Sequence, residues 1–557
     1  MLKFAVMDGS LPAVEWPLRH AHLLGPDDVA LPSEIDVRDG MICCSKRIGG
    51  AAALAVTFSL AGTVAGAAGG AAGGAAQSER TFLLRTCLLP ERGEPYLLSL
   101  ELARRQVMLL LNKLEEWSLF DQPADSPLML RINKAVAMFS RAAVSGSPGP
   151  HGPTLKADAL AREALREAIE AGEQLAFASA AATHKLRLSG RLSTVASLVS
   201  VADSESKESA HPHGASAGVC LPEMPQIGCC VGASVFSPEL AAAVQQSCDF
   251  VSLPMRWLDM EPSEGKYAFA KTDKWIEWCI LQAKLPVVAG PVLDLSEKSV
   301  PKWLAIFEHD YETLRDMVIE FVKTIVTRYR RTVTTWNVCS GLHAPGGLSL
   351  SPEQAMDLTK YCIAIVKKLQ PQAKVQIEIA QPFGEYTAGP KGRACLPPAI
   401  YAELIKQLNL PIDALAIRLQ LGSGDAGRAT RDILSCAAMI DRYAEIGYPI
   451  SISAVGFPGN NPARQVDDES GMWNGPWTLD VQAELLSKLG GVLAGKPAIS
   501  SIAWHELYDV PTPAPAGCAA GEMPGGGLVT SAGAAKPVLA AVKNLRQVLR
   551  MRGEKLV

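Results

Sequence analysis

The sequence predicts an α/β protein whose C-terminal part, residues 225–557, is a (β/α)8 TIM barrel, preceded by an N-terminal β-rich, sandwich-like domain and a helical connector. Three observations carry this expectation. Beyond Pro225, short apolar runs alternate with longer amphipathic stretches in eight successive units, the pattern of parallel strands each followed by a covering helix. Residues 1–90 instead alternate β-like runs with turn residues. Between the two regions, apolar residues recur at helical spacing.

The eight expected barrel strands are Ile227–Val231, Phe250–Leu253, Pro286–Val292, Thr335–Cys339, Val375–Ala380, Ala414–Leu419, Ile450–Val455 and Ile499–Trp504. They read as near-continuous apolar runs because a parallel strand is covered on both faces. The helical patterns between and after them are Pro238–Gln246, Ala270–Ala283, Tyr311–Arg330, Pro352–Leu369, Pro397–Gln407, Thr430–Ile446, Leu479–Leu493 and Lys536–Arg552. A doubly wound open sheet is the competing architecture. In a barrel, chemistry sits at the C-terminal ends of the strands, which directs attention to the residues there.

In the N-terminal region the β-like runs are Leu2–Met7, His20–Leu24, Ile35–Val37, Met41–Ser45, Ala53–Leu60 and Thr81–Leu88. Helical periodicity follows over Pro95–Phe120 and Leu155–Leu186, with a Ser/Gly/Pro loop at Ser145–Pro153. The domain boundaries this implies are 1–90 for the β-rich accessory domain, 91–198 for the connector, 199–224 for a linker and 225–557 for the barrel. No functional motif falls in the first 200 residues, and an accessory domain that docks on the barrel or binds sugar is the expectation.

Hydrophobic residues make up 48% of the chain and charged residues 20%, with a formal net charge of −4, the balance of a globular protein. Phosphate-rich partners need a basic excess or stripe, so nucleic acid is excluded as an expected partner. Thirteen cysteines are scattered, with adjacent pairs at Cys43/Cys44 and Cys229/Cys230 and no C-x-x-C spacing. They read as buried thiols in a reducing compartment, and neither a metal nor a cofactor is expected. The N-terminus has acidic and polar residues where a secretory signal would be apolar. Ala51–Ala76 is apolar, but its second half is almost all Gly and Ala, which gain little from hydrocarbon. A strand near Leu54–Leu60 followed by a loop is expected there, with no membrane span and a cytoplasmic location. No feature sets an oligomeric state.

Three short motifs fail on context. Gly214–Gly218 fits G-x-S-x-G, but no strand precedes it. Gly490–Lys496 reads G-x-x-x-x-G-K, but Pro497 replaces the required Ser/Thr and the segment leaves a helix instead of entering one. His505-Glu506 lacks a second histidine at metal-binding spacing.

Several strand ends carry a more specific pattern. Met255-Arg256-Trp257-Leu258-Asp259-Met260-Glu261-Pro262-Ser263-Glu264-Gly265 follows the second strand. Val288–Leu293 leads on to Val300-Pro301-Lys302-Trp303. Arg328-Tyr329 precedes Trp336-Asn337-Val338-Cys339-Ser340-Gly341, and Ile452–Phe457 and Trp504 complete the series. In colinear order these segments resemble glycoside hydrolase family 10, the retaining endo-β-1,4-xylanases. The resemblance implies a (β/α)8 barrel acting on or binding β-linked oligo- or polysaccharide.

The departures from the family pattern matter equally. Retaining hydrolysis needs an acid/base and a nucleophile roughly 5–5.5 Å apart. By resemblance the acid/base position is Gly341 and the nucleophile position is Ala454, and neither side chain can donate a proton or attack carbon. Pro254, Ser296 and Leu253 replace polar residues of the family, and Arg256 keeps a positive charge where the family has lysine. Other carboxylates near strand ends are Asp259, Glu261, Asp294, Glu378, Glu385 and Glu506, of which Glu385 and Glu506 are the substitutes to weigh. Ligand-contacting candidates are Arg256, Trp257, Asn337, Gln381, Trp473, Trp477, Trp504 and His505. Trp473 and Trp477 lie in a Gly/Pro-rich loop that suits a ligand-facing lid. Two functions are therefore expected candidates: a carbohydrate-binding protein without the standard hydrolysis, or a divergent glycoside hydrolase using relocated carboxylates.

Overall fold

A computed structural model describes residues 1–8, 11–12, 16–60, 80–145, 154–189, 223–460, 470–511 and 521–551. The Gly/Ala-rich stretch after residue 60, the Gly214–Gly218 motif and the expected linker up to residue 222 lie outside the described residues. The chain divides into two compact units. One holds residues 1–179 with 422–438 and 467–476, and the other holds 180–421, 439–466 and 477–557.

The first unit contains strands β1 (Leu2–Ala5), β2 (Met7–Asp8), β3 (Leu11–Pro12), β4 (His22–Leu24), β5 (Ala30–Leu31), β6 (Ser33–Arg38), β7 (Met41–Lys46), β8 (Ala53–Ser59), β9 (Thr81–Arg85) and β10 (Tyr96–Leu97). They form two four-stranded sheets, ordered β10-β1-β7-β6 and β5-β4-β8-β9, and a β2–β3 pair. Strand β8 is buried along nearly its whole length, as its apolar run requires. Helices Leu98–Glu116 and Leu155–Leu188 follow the expected periodicity, and a further helix, Pro127–Ser145, lies between them. That helix buries only Ile132, Ala135 and Ala142, so its apolar stripe is thin. Val107, Leu110, Leu114, Ile132, Ala168 and Leu175 pack with Leu434 in one apolar cluster. Leu434 reaches it because 422–438 belongs to this unit.

The second unit is a closed barrel. Its strands are β11 (Gln226–Cys230), β12 (Phe250–Leu253), β13 (Val287–Ala289), β14 (Leu293–Asp294), β15 (Thr335–Ser340), β16 (Lys374–Ile379), β17 (Ala414–Gln420), β18 (Ile450–Gly456) and β19 (Ile499–Trp504). Every pairing is parallel, and β13 and β14 both pair with β15, so eight strand positions close on themselves. The third position is interrupted at Gly290-Pro291. Gly290 has φ +118°, and a Cβ there would lie 2.0 Å from the Asn337 carbonyl oxygen, so only glycine lets the chain pass.

Local sequence accounts for the covering helices. Ser237 accepts the Leu240 N–H at 3.2 Å with Pro238 in the first turn. Ser351 and Gln354 form a reciprocal capping box ahead of helix Pro352–Leu369. The helix from Ala270 continues as a π-helical stretch, Trp278–Ala283, and ends at Lys284 in the left-handed conformation. Among the described residues, no helix is long and apolar enough to cross a membrane.

Candidate active site at the barrel mouth

The strand alternation that fills the barrel with apolar side chains breaks near the C-terminal ends of β15, β16 and β17. Asn337 lies within β15 and Ser340 ends it, Glu378 sits near the end of β16, and Arg418 and Gln420 lie two apart on β17. Two-residue spacing puts Arg418 and Gln420 on the same face of their strand.

Glu378 is 1% exposed. One carboxylate oxygen accepts from Ser340 Oγ at 2.6 Å and from Arg418 Nε and Nη2 at 2.9 Å each. The other accepts from Asn337 Nδ2 at 2.9 Å. Burial alone would raise the pKa of Glu378, but the Arg418 charge and the bonds from Ser340 and Arg418 outweigh it and hold the carboxyl below its ordinary range. Glu378 is therefore an anion at neutral pH, with its oxygens already engaged.

Arg418 has a second carboxylate. Its Nη1 donates to Glu522 Oε1 at 3.1 Å, and Gln420 Nε2 donates to the other Glu522 oxygen. Gln420 Nε2 also lies 3.3 Å from His505 Nδ1. Burial disfavours the charge on Arg418, but Glu378, Glu522 and Asp294 more than compensate, so its pKa rises. The groups that act on Arg418 come from β11, β14, β16 and the segment after β19, all round the ring, which places the guanidinium in the lumen. Two carboxylates hydrogen-bonded across one guanidinium sit roughly 5–8 Å apart.

The two positions singled out by resemblance flank this cluster. Gly341 has φ +62°, and a Cβ there would come within 3.1 Å of the Ala380 Cβ. Its N–H donates to the Glu378 carbonyl at 3.1 Å. Ala454 is 3% exposed and pairs in register with Arg418.

The other expected site residues fall as follows. Trp257 is buried with its ring stacked on Phe321 at 4.4 Å, and its indole N–H donates to Glu261 at 2.9 Å. Glu261 also accepts the Gly265 N–H at 2.7 Å, which braces that loop. Arg256 is engaged by Asp259. Trp504 is buried, edge-on to Phe457, and donates to the Gly526 carbonyl at 2.8 Å. Trp477 is buried and lies parallel to Phe457. Trp473 belongs to the first unit, where it is fully buried and its indole N–H reaches Glu173 at 3.2 Å. Glu173 also receives two bonds from Arg80. His505 is buried just past β19, and Gln381 is half-buried just past β16. Glu385 is buried in a short 3-10 turn, Glu385–Ala388, and Glu506 is half-buried after His505. Among the described residues no cluster of three His, Cys, Asp or Glu is placed to hold a metal ion.

The barrel region is similar to known proteins. Residues 223–471 match the Glycosyl hydrolase family 10 model. The match runs from just before β11 to beyond β18, a little under half of the chain. Xylanase 10B from Thermotoga maritima is a similar solved structure, at 18% identity, covering 59% of this chain and 96% of that one with a TM-score of 0.45. Xylanase 10B from Thermotoga petrophila RKU-1, solved with xylobiose, is 16% identical, covering 62% and 99% with a TM-score of 0.43. A family 10 structure from Paenibacillus barcinonensis is 17% identical, covering 57% and 94% with a TM-score of 0.43.

Glu378 and Asn337 are among the residues the sequence points to, whereas Arg418, Gln420 and Glu522 are not. Arg418 and Gln420 carried a signal, two polar residues at period two inside an otherwise apolar strand. Glu522, in a Gly-rich stretch, carried none.

Proposed function

We propose that this family 10 barrel binds a β-linked carbohydrate at its mouth and does not cleave it by the family's two-glutamate route. The observation that carries the reading is the Glu378–Arg418 ion pair beside Gly341 and Ala454. Both carboxylates of the cluster, Glu378 and Glu522, are bonded to the Arg418 cation, whereas a retaining mechanism needs one carboxyl group that exchanges a proton and another free to attack carbon. Asn337, Gln420 and His505 supply polar groups of the kind that orient sugar hydroxyls.

The test is titration calorimetry with xylo- and cello-oligosaccharides beside a turnover screen on aryl glycosides and β-1,4-glycans. Heats of binding with no turnover are expected. The competing reading, a divergent hydrolase using Glu385 and Glu506, gains the argument if turnover appears and Glu385→Gln or Glu506→Gln abolishes it.

A further inference from the structure

We propose that Arg418 and Gln420 form a carboxylate-binding subsite that Glu522 fills from within the chain, and that its ligand is an acidic sugar, a uronate. This deepens the carbohydrate reading above and rests on it.

Arg418 Nη1 and Gln420 Nε2 each donate to a different oxygen of one carboxylate. Two donors on two oxygens is the planar, two-point recognition that distinguishes a carboxylate from a hydroxyl. The two partners of Arg418 are held very differently. Glu378 has a 1% exposed side chain and further bonds from Ser340 and Asn337. The Glu522 side chain is 34% exposed and lies in Gly521-Glu522-Met523-Pro524-Gly525-Gly526-Gly527. Of the two carboxylates, Glu522 is the one an external carboxylate can replace, and the exchange leaves the charge around Arg418 unchanged.

A second observation points to a sugar. Gln420 and Asn337 are 3% and 2% exposed, and the side-chain oxygen of each is buried with no hydrogen-bond partner among the described residues. Buried acceptors without donors are costly. Both amides belong to the same cluster, since Gln420 contacts Glu522 and Asn337 contacts Glu378. A uronate supplies hydroxyl donors for such acceptors beside the carboxylate that Arg418 takes. A simple carboxylic acid supplies only the latter, and a neutral sugar only the former.

The experiment titrates the full chain and its Glu522→Ala variant with D-glucuronate, D-galacturonate, glucose, xylose and acetate. Self-occupancy lowers apparent affinity by the fraction of molecules in which the subsite is vacant, so a subsite vacant in about a tenth of molecules gives roughly tenfold. Glu522→Ala should therefore tighten uronate binding about tenfold while glucose and xylose are unchanged. Adding Gln420→Leu, which removes one donor and leaves the Arg418–Glu378 pair in place, should cancel most of that gain. Uronates binding Glu522→Ala no better than wild type overturns the subsite, and neutral oligosaccharides that still bind would leave the broader reading standing. Acetate binding as tightly as glucuronate overturns the sugar assignment. Silence with every sugar overturns both.

Discussion

Replacing Glu378 with glutamine keeps the shape of the side chain and removes its charge. The carbonyl oxygen of the new amide can still accept from Ser340 or Arg418, but Arg418 loses its buried counter-ion. Breaking a buried pair by neutralising one partner costs about 3–5 kcal/mol, because the surviving charge is left uncompensated. Glu522 still contacts Arg418 at 3.1 Å, so the expected loss lies below that range, about 2–3 kcal/mol. At about 2–4 °C per kcal/mol for a domain of this order, the melting temperature of the barrel should fall by about 5–10 °C. The pH dependence gives an internal control. The folded pKa of Glu378 lies below its ordinary value, so its contribution is fully present above pH 4.5 and is lost as pH falls through the folded value. Glu378→Gln should accordingly flatten the acid limb below about pH 4.5. A double variant, Glu378→Leu with Arg418→Met, should recover most of the lost stability, since apolar groups of similar volume often replace a buried pair at little cost. Thermal unfolding followed by circular dichroism reads all three. A shift under about 2 °C for Glu378→Gln would mean that the Glu378–Arg418 pair contributes no more than a surface pair, and the account of Glu378 as a buried counter-ion would fail.

Three further outcomes follow from the same geometry. Burial lowers the pKa of His343 to about 3 from 6.5, so between those values the unfolded chain takes up a proton that the folded chain does not. Stability is complete above pH 6.5 and falls by roughly 4 kcal/mol on going to pH 3, and His343→Gln should remove that slope in a melting-temperature profile. Gly341→Ala combines φ +62° with a 3.1 Å approach to Ala380, and should lower stability by about 1–2 kcal/mol in denaturant titration. Gly290→Ala, whose Cβ would meet a backbone oxygen at 2.0 Å, should prevent accumulation of soluble barrel, checked by expression yield and near-ultraviolet circular dichroism.

The barrel was legible because its strands are covered on both sides and therefore written as apolar runs. Phe250–Leu253 and Ile499–Trp504 coincide with the expected strands residue for residue. The third strand was expected to be continuous through Val292, but Gly290-Pro291 divides it into β13 and β14. Helix Pro127–Ser145 escaped notice because few of its residues are buried, which weakens the periodic signal. The allegiance of 422–438 and 467–476 to the first unit depends on contacts that no local pattern encodes. The Leu83 N–H reaches the Thr430 carbonyl, and Thr81 bridges Met472, across more than three hundred residues of chain. Trp473 illustrates the consequence. Its Gly/Pro-rich surroundings suggest an exposed loop, yet its indole is buried on Glu173.

At the site, the chemistry of individual residues was easier to read than their pairing. Glu378 is one of six candidate carboxylates at strand ends, and the sequence favours Glu385 and Glu506 over it. What distinguishes Glu378 is Arg418 on the neighbouring strand, a relation fixed by the parallel β16–β17 register, in which Glu378 pairs with Ala416 two residues earlier. Glu522 enters from a segment more than a hundred residues further along the chain.

The most direct measurement is equilibrium dialysis of end-labelled xylohexaose against the full chain, followed by chromatography of the retained sugar. Retention of intact hexaose after prolonged incubation is the predicted result. Shorter labelled products would show that glycosidic bonds are being cut, and that result would contradict the account.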